Sequence, residues 1–249
     1  IPQVKIMSTV LIVGANSDIA KATARVYASF GYDLVLALRN KDKIESFVKD
    51  LTLRYERRVD SIELDILDYS SHAEIYEQLN CPIDGVIVAV GYLGDQNLSQ
   101  TDFKESQKII DTNFTGVVSL LNIIANDFEK RKSGFIVAIS SVAGDRGRKK
   151  NYQYGSAKAG LSAYLSGLRN RLFDKGVSVL TVKPGFVLTN MTKDMDLPEK
   201  LTAQTKDIAL AIYHAQQKGK DSLYYMKKWR LIMWIIRMIP ERIFKRLDL

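Results

Sequence analysis

The chain has 249 residues, of which 46% are hydrophobic and 26% charged, a composition that indicates one globular domain with a full core. A single cysteine, Cys81, rules out an internal disulfide framework and suits a reducing compartment. With only two histidines in addition, the sequence argues against a zinc site, and we predict no metal site. The formal net charge of +8 indicates an anionic partner.

We expect no secretory signal in the first residues of the sequence. Residues 1–6 precede Met7, and we treat them as an extension outside the fold. The first apolar run ends in a glycine turn rather than a cleavage site, and no stretch reaches the ~18–20 uninterrupted apolar residues of a spanning helix. We therefore expect a cytoplasmic protein, with peripheral attachment to the inner face of the membrane as a further option.

Short apolar runs alternate with amphipathic runs of helical length. The strand-like runs are Thr9–Val13, Asp33–Leu38, Ser61–Leu64, Gly85–Val90, Phe135–Ser140 and Val177–Val182. The predicted helices lie at 18–30, 41–57, 70–79, 102–131, 152–175 and 205–218. Near-continuous apolar strands separated by helices predict a parallel sheet covered on both faces. We therefore predict an α/β, doubly wound (Rossmann) fold with right-handed crossovers, in one domain over residues 7–226.

The segment 227–249 departs from this pattern. Its seven Lys/Arg residues stand against two acidic residues, which gives it +5 of the net charge. It also contains Trp229 and Trp234 in an apolar stretch that is too short and too interrupted to span a membrane. A basic amphipathic helix of this kind is typical of a membrane interface. The alternative is a C-terminal helix that covers a subunit interface or the substrate cleft.

Tyr154 and Lys158 are the strongest local candidates for catalysis. Their i, i+4 spacing places them on one face of a predicted helix. An ammonium group stabilises a nearby phenolate, so we expect Lys158 to lower the Tyr154 pKa from about 10 and make the tyrosine a general acid for a carbonyl oxygen. Ser141 ends a predicted strand, at the edge where ligands bind in open α/β sheets. Its neighbour Ser140 is expected to be structural.

These residues, in this order, resemble the short-chain dehydrogenase/reductase family from about residue 8 to residue 218. The resemblance implies that Ser141 polarises a carbonyl, Tyr154 transfers the proton and Lys158 holds the cofactor ribose. It implies that Asn113 supports a proton-relay water. It also implies cofactor contacts from Asp65, Ile66, Gly91, Pro184, Gly185, Val187 and Thr189. The family's Asn-Asn-Ala-Gly is replaced here by Val88-Ala89-Val90-Gly91, so only the glycine is retained.

The turn after the first strand is the predicted pyrophosphate loop, although it has one glycine where such turns usually carry three. Gly14 supplies the tight bend, and the small Ala20 lets the helix approach the sheet. We assign the cofactor contacts in this turn to Gly14, Asn16, Ser17, Asp18 and Ile19. We expect the Asp18 carboxylate to cap the helix and to face away from the ligand.

The end of the second strand predicts the choice of cofactor. An enzyme that selects NAD usually places a carboxylate there, but this strand ends in Arg39-Asn40. A guanidinium suits the 2′-phosphate of NADP, so we predict NADPH, with Arg39 and Asn40 as its readers. The alternative is a solvated arginine at a helix start.

Residues 145–150 place four cations between the serine strand and the tyrosine helix. Such a loop either clamps a phosphate group or is simply solvated. Three other features resemble reductases of decaprenylphosphoryl-2-keto-pentose: the Ser17-Asp18-Ile19 turn, the continuation of the catalytic helix over Tyr154–Leu161, and the Trp/Arg segment that ends the chain. That resemblance implies a keto-sugar on a polyprenyl phosphate as substrate and a flavin oxidase as partner.

Other assignments remain open at the level of the sequence. A soluble carbonyl or 3-oxoacyl reductase is the alternative within the family, and a non-catalytic dinucleotide-binding regulator is the alternative outside it. The cations concentrate in one loop and an apolar tail without a recognised nucleic-acid module, so we expect no nucleic acid partner. The family resemblance implies a homodimer or homotetramer joined through the helices near 102–131 and 152–175.

Overall fold

The computed structural model describes residues 8–248. Its main strands are β1 (Thr9–Val13), β2 (Asp33–Leu38), β3 (Val59–Glu63), β4 (Gly85–Val88), β5 (Gly134–Ile139) and β6 (Val177–Lys183), followed by β7 (Phe186–Val187), β8 (Thr202–Ala203) and β9 (Ser222–Tyr224). Within the described residues, seven of them form one parallel sheet in the order β3-β2-β1-β4-β5-β6-β9. The short strands β7 and β8 pair separately.

Helices connect and cover the strands. They are α1 (Asp18–Ser29), α2 (Glu45–Tyr55), α3 (His72–Glu77), α4 (Phe103–Ile110), α5 (Gly116–Arg131), α6 (Tyr152–Leu172), α7 (Thr205–Gln217), α8 (Lys227–Met238) and α9 (Glu241–Phe244). A π-helical turn, Asp111–Thr115, joins α4 to α5, and a 3₁₀ turn, Val142–Asp145, follows β5.

The core lies on both faces of the sheet, because successive side chains of a strand point to opposite faces. In β1, Val10 and Ile12 pack in the layer that contains α1 and α7, whereas Leu11 and Val13 pack in the layer that contains α5 and α6. Full burial of each such side chain contributes about 1.5–3 kcal/mol. The predicted doubly wound fold with a basic C-terminal helical segment is therefore confirmed.

The helical stretch Phe103–Arg131 is long and apolar enough to cross a membrane by length and composition. Its apolar residues are nevertheless used inside the protein: Leu120, Leu121, Ile124 and Phe128 are fully buried against the sheet. We interpret this stretch as a core helix of the α/β fold.

The structure differs from the predicted elements at a few places. The predicted helix 41–57 begins as a 3₁₀ turn, Lys41–Ile44, because the Asn40 side chain caps that turn by accepting from the Asp42 amide. The predicted helix 102–131 is interrupted by the π-helical turn. The edge strand β9 was not predicted, since it is only three residues long and lacks a buried apolar run. The predicted extension at 1–6 lies outside the described residues.

Candidate active site

The candidate site lies where the strand order reverses, between β1 and β4. Chains leaving the carboxyl ends of β1, β4, β5 and β6 meet at this edge of the sheet. They carry Gly14, Gly91, Ser141 and Pro184, all of which were predicted as site residues. Such a crevice is the usual ligand site of an open α/β sheet.

The loop after β1 is held tightly against the end of β4. Gly14 has a φ of +79°, and a Cβ there would lie 3.0 Å from the backbone carbonyl of Ala89, so only glycine suits the position. The α1 helix is capped by Ser17, whose Oγ accepts from the Ala20 amide at 3.2 Å. The prediction that Asp18 is the cap is therefore wrong, because the residue before it already occupies the capping geometry.

Asp18 instead bridges two segments that are far apart in the sequence. Its carboxylate accepts hydrogen bonds from the Asn190 backbone amide at 2.7 Å and from Asn190 Nδ2 at 3.2 Å. This Asp18–Asn190 bridge ties the loop after β1 to the segment after β7. Asn16 in the same loop is exposed, whereas the Ile19 side chain packs against the core, so Ile19 has only its backbone to offer a ligand.

Arg39 and Asn40 are exposed at the end of β2. Among residues 8–248, Arg39 has no hydrogen bond or ion pair, and its guanidinium is free to meet an anion. Asn40 Oδ1 accepts from the Asp42 amide at 3.1 Å, which leaves its Nδ2 group as a donor. Both side chains are therefore compatible with a 2′-phosphate reader.

Asp65 and Ile66 follow β3, which lies two strands away from β1 in the sheet. Asp65 Oδ1 accepts from the Leu67 amide at 3.0 Å, and the Asp65 carbonyl accepts from His72 Nε2 at 3.2 Å. These two bonds fix the backbone around the carboxylate. Ile66 is buried in the core beside Gly116, so a cofactor could reach only its backbone.

Gly91, Asn113 and Lys158 come together at the centre of the site. A Cβ on Gly91 would lie 3.5 Å from Asn113 Oδ1, 3.6 Å from Met191 Cε and 3.9 Å from Lys158 Nζ. No sequence pattern indicated Met191, because a lone methionine after a loop has no recognisable spacing.

The Asn113 amide is fully buried and held at both ends. Its Nδ2 donates to the carbonyls of Tyr92 at 2.6 Å and Ile109 at 2.8 Å, and its Oδ1 accepts from the Tyr92 amide at 3.2 Å. The π-helical turn that carries Asn113 is of a kind often found at functional sites. Asn113 therefore fixes the strand-end backbone beside Lys158, and one lone pair of its Oδ1 remains for a water.

Close backbone contacts hold Ser141 against the tyrosine helix. A Cβ on Gly144 would lie 2.7 Å from the Ala159 amide nitrogen, so a side chain there would push the loop away from α6. Ser141 Oγ accepts from the Ala143 amide at 3.1 Å and forms a hydrogen bond with the Tyr154 phenol. Ser140 is buried and donates to the Lys158 carbonyl at 2.9 Å, which fits its expected structural role.

Burial dominates the electrostatics of the Tyr154–Lys158 pair. Lys158 is 2% exposed, and its Nζ donates to the Ile139 carbonyl at 2.9 Å and lies 5.7 Å from the centre of the Tyr154 ring. Burial lowers the pKa of Lys158 to about 7. Burial likewise raises the pKa of Tyr154 to about 12, and the hydrogen bond from Ser141 lowers it only in part.

The prediction that Lys158 lowers the Tyr154 pKa is therefore wrong, because with the groups of the chain alone burial raises that pKa. Lys158 is itself desolvated and only partly charged near neutral pH, so its field does not offset the burial of the phenol. A phenol with this pKa stays protonated at physiological pH. Tyr154 is consequently in the form that donates a proton, which suits reduction of a carbonyl.

A model of the family described as short chain dehydrogenase matches residues 8–200. The chain belongs to the short chain dehydrogenase family. It is 34% identical to an uncharacterized oxidoreductase of Mycobacterium tuberculosis over 241 residues, which cover 96% of each protein. It is 32% identical to an uncharacterized oxidoreductase of Streptomyces coelicolor over 242 residues, covering 96% of this chain and 95% of the relative.

Solved structures agree with this assignment. A short-chain dehydrogenase from Sphingobium yanoikuyae in complex with NADPH matches with a TM-score of 0.82 and 24% identity, over 94% of this chain and 97% of that one. A structure described as ElxO with NADP bound matches with a TM-score of 0.78 and 25% identity, over 88% and 98%. The protein is thus an oxidoreductase of this family, and the descriptions of these relatives name no keto-pentose substrate.

In this dehydrogenase, the segment after β6 is fixed by contacts of its own. The Pro184 carbonyl accepts from the Val142 amide at 3.0 Å, which links the segment to the residue after Ser141. Val187 is buried in β7, and the Thr189 amide donates to Thr192 Oγ1 at 3.1 Å. These contacts fix the segment that carries the predicted cofactor residues Pro184, Gly185, Val187 and Thr189.

The α8 helix forms a wall beside this segment. The Trp229 ring lies directly over Gly185, where any Cβ would overlap it, and meets Phe186 edge-on at 5.3 Å. Trp229 Nε1 donates to the Leu201 carbonyl at 3.1 Å. Val142, next to Ser141, belongs to the same apolar cluster. One face of the tail therefore packs on the segment after β6 and on the residue that follows Ser141.

Arg146 secures the far end of α8. Its guanidinium donates to the carbonyls of Ile236 and Ile239 at 2.6 Å each, pairs with Glu241 at 2.9 Å and stacks on Phe244 at 3.6 Å. A cation at a helix C-terminus satisfies free carbonyls and meets a favourable dipole. The sequence did not indicate this role, because Arg146 and its partners are about ninety residues apart.

Proposed function

We propose that the protein is an NADPH-dependent reductase that converts a ketone into a secondary alcohol. One observation carries the proposal: the Ser141 hydroxyl and the Tyr154 phenol lie beside the buried Lys158, whose Nζ is 5.7 Å from the centre of the Tyr154 ring, at the edge of the sheet where ligands bind. A module that only bound dinucleotides would have no use for a proton donor in this arrangement.

The residues of the crevice fit a nicotinamide dinucleotide. The amides of the first turn of α1 and the backbone approach at Gly14 suit a pyrophosphate, and the unpaired Arg39 suits a 2′-phosphate. The NADP- and NADPH-bound structures named above support the same choice. When bound, the cofactor supplies the hydride.

The chain's own residues would handle the carbonyl oxygen and its proton. Ser141 Oγ donates a hydrogen bond to the oxygen and orients it, and Tyr154 gives it a proton. Lys158, with a pKa of about 7, exchanges protons readily near neutrality and can restore the phenol proton. A water held by Asn113 Oδ1 would connect this relay to solvent.

The cation loop, residues 145–150, favours an anionic substrate, because the bonding of Arg148 differs from that of the other three cations. Arg146 binds the end of α8, and Lys149 and Lys150 pair with Asp248. Arg148, by contrast, has a buried Nε without a hydrogen-bond partner among residues 8–248, and burial lowers the pKa of its guanidinium. The oxygens of Asp145, the carboxylate whose charge acts on the Arg148 guanidinium, are already bonded by Lys183 at 2.6 Å and by Tyr224 at 2.8 Å.

We infer that a phosphate of the substrate supplies the partner that Arg148 lacks. A keto-sugar on a polyprenyl phosphate, produced by a separate flavin oxidase, fits this requirement and the basic tail. A neutral carbonyl compound would offer no anionic oxygen to the Arg148 side chain. Substitution of Arg148 by Gln should therefore raise KM for phosphorylated ketones by about tenfold and leave neutral ketones unaffected.

The test is NADPH oxidation with polyprenyl-phosphate keto-sugars, simple ketones and 3-oxoacyl thioesters. Tyr154→Phe should lower kcat by a factor of about 10²–10⁴, because only the proton donor is lost. NADPH affinity, measured by fluorescence titration, should stay nearly unchanged. Tyr164→Phe, which alters another tyrosine of α6, is the matched control and should keep full activity. Near-normal turnover by Tyr154→Phe would refute the proposed role.

The assembly and location remain proposals. We propose a cytoplasmic homodimer or homotetramer joined through α4, α5 and α6. The exposed Phe103 at the start of α4, with 75% of its surface accessible, supports such a contact. Size-exclusion chromatography with light scattering tests it, and a monomeric, fully active enzyme would contradict it.

A further inference from the structure

The α8 helix is apolar on two opposite faces, but only one of them contacts the protein. The inner face consists of residues packed in one cluster: Trp229, Ile232, Met233 and Ile236. The outer face consists of residues with the same i, i+3, i+4, i+7 spacing: Leu231, Trp234, Ile235 and Met238. Their exposed fractions are 59%, 62%, 50% and 67%. Ile243 and Leu247, exposed by 54% and 41%, extend this apolar surface past α9.

The cations around this outer face have no acidic partners. Within residues 8–248, none of the seven Lys/Arg residues of the tail forms an ion pair: Lys227, Lys228, Arg230, Arg237, Arg242, Lys245 and Arg246. The two acidic residues of the tail are used elsewhere, since Glu241 pairs with Arg146 and Asp248 with Lys149 and Lys150. The tail therefore presents unneutralised positive charge beside its apolar surface.

An open cleft of about 540 Å³ lies along one side of the outer face, between α8 and the edge strand β9. Three of the tail cations line it, Lys227, Arg230 and Arg237, together with Leu231 and Trp234. Cationic groups next to an exposed indole match the two parts of a phospholipid, its phosphate and its acyl chain.

We propose that the outer face of α8 and α9 docks on an anionic lipid bilayer. The Leu231, Trp234, Ile235 and Met238 side chains enter the headgroup–acyl boundary, and the α8–β9 cleft receives lipid phosphate. A second copy of the chain is a poorer occupant, because a twofold contact would set the same unneutralised cations against each other.

Docking in this orientation would place the catalytic crevice beside the bilayer. The inner face of α8 contacts Gly185 through Trp229 and lies beside Val142, which follows Ser141. A ketone whose lipid chain stays in the membrane could then reach Tyr154 without leaving the surface. This consequence, unlike the docking itself, rests on the proposed function.

Co-sedimentation with large unilamellar vesicles tests the docking without NADPH or substrate. We expect vesicles of phosphatidylcholine with about one-third phosphatidylglycerol to bind the protein about tenfold or more tightly than pure phosphatidylcholine, and salt to weaken that binding. Arg230→Gln/Arg237→Gln and Trp234→Ser/Ile235→Ser should each weaken it about tenfold or more. In a Trp229→Phe variant, Trp234 is the remaining tryptophan, and its emission should shift to the blue on binding.

Matched variants control for loss of charge and of apolar surface. The control for apolar surface is Leu53→Ser/Phe173→Ser, which changes two residues outside the tail with exposed fractions of 81% and 86%. The control for charge is Lys49→Gln, which removes an exposed cation from α2. Both variants should bind anionic vesicles like the wild type. Equal binding to both vesicle types, or normal binding by the Trp234→Ser/Ile235→Ser variant, would overturn the proposal. Dissociation of an oligomer by that variant would assign the face to a second copy instead.

The Tyr154→Phe variant separates this proposal from the catalytic one. It should bind anionic vesicles like the wild type, since its substitution lies away from the outer face. Loss of ketone reduction with intact vesicle binding would therefore leave the docking surface standing. Normal reduction of a detergent-dispersed substrate without vesicle binding would refute the docking surface alone.

Discussion

Replacement of Lys158 by methionine exchanges a buried ammonium for an apolar side chain of similar length. The pKa of Lys158 falls from its usual 10.5 to about 7 on folding, which costs about 4 kcal/mol of stability at about pH 7. Methionine avoids this cost but leaves the Ile139 carbonyl without its donor, a loss of about 1–3 kcal/mol. We expect Lys158→Met to be about 1–3 kcal/mol more stable than the wild type at that pH, and to lose ketone reduction.

The sign of the pH dependence follows from the lowered pKa of Lys158. Above about pH 7 the folded protein has released the proton that the unfolded chain keeps up to about pH 10.5, so rising pH stabilises the wild type through this window. The gain relative to Lys158→Met is about 3 kcal/mol between about pH 7 and pH 10. The order of the two stabilities should therefore reverse by about pH 10.

Urea unfolding followed by tryptophan fluorescence at several pH values measures this difference. Lys49→Met, at an exposed position on α2, is the control and should keep a constant offset from the wild type. If the free energy of unfolding of Lys158→Met stayed at a constant offset from that of the wild type, Lys158 would not be desolvated in the folded protein.

Three further substitutions test other parts of the molecule. Arg39→Ala should weaken NADPH binding about 10- to 100-fold and leave NADH unaffected, as titration of both cofactors would show; equal losses would contradict a 2′-phosphate contact. Trp229→Ala should lower the free energy of unfolding by about 3–5 kcal/mol, because the buried Trp229 ring packs on Phe186. A loss below about 1 kcal/mol would show that the packing of α8 on the segment after β6 contributes little to stability. Asp18→Ala should speed NADPH release and raise hydrogen exchange after residue 189. Adding Asn190→Ala should bring little further change, because both substitutions remove the same Asp18–Asn190 bridge. Additive effects of the two substitutions would refute the coupling.

Much of the fold follows from local patterns in the sequence. The runs Thr9–Val13 and Asp33–Leu38 become strands with the predicted bounds, because a strand buried on both faces must be continuously apolar. The i, i+4 spacing of Tyr154 and Lys158 places both on α6, since helical geometry alone fixes that relation. Patterns of this kind need no knowledge of distant segments.

The remaining features depend on contacts between distant segments. The Asp18–Asn190 bridge joins residues 172 positions apart, and no local spacing announces it. The direction of the Tyr154 pKa depends on how completely the surrounding segments exclude water, which residue types do not reveal. In α8, the pattern shows apolar residues on both sides, but only the packing of Trp229 distinguishes the inner face from the outer one.

The attachment of Arg146 to the end of α8 has a consequence for the order in which this enzyme can mature during synthesis. The loop that follows Ser141 is held by Ile236, Ile239 and Glu241, which the ribosome adds about ninety residues later. A nascent chain that has emerged only as far as α7 can already pair β1 to β6, yet its serine loop still lacks this anchor. The loop beside Tyr154 would then gain its anchor only after the tail has folded back, once synthesis of the tail is over.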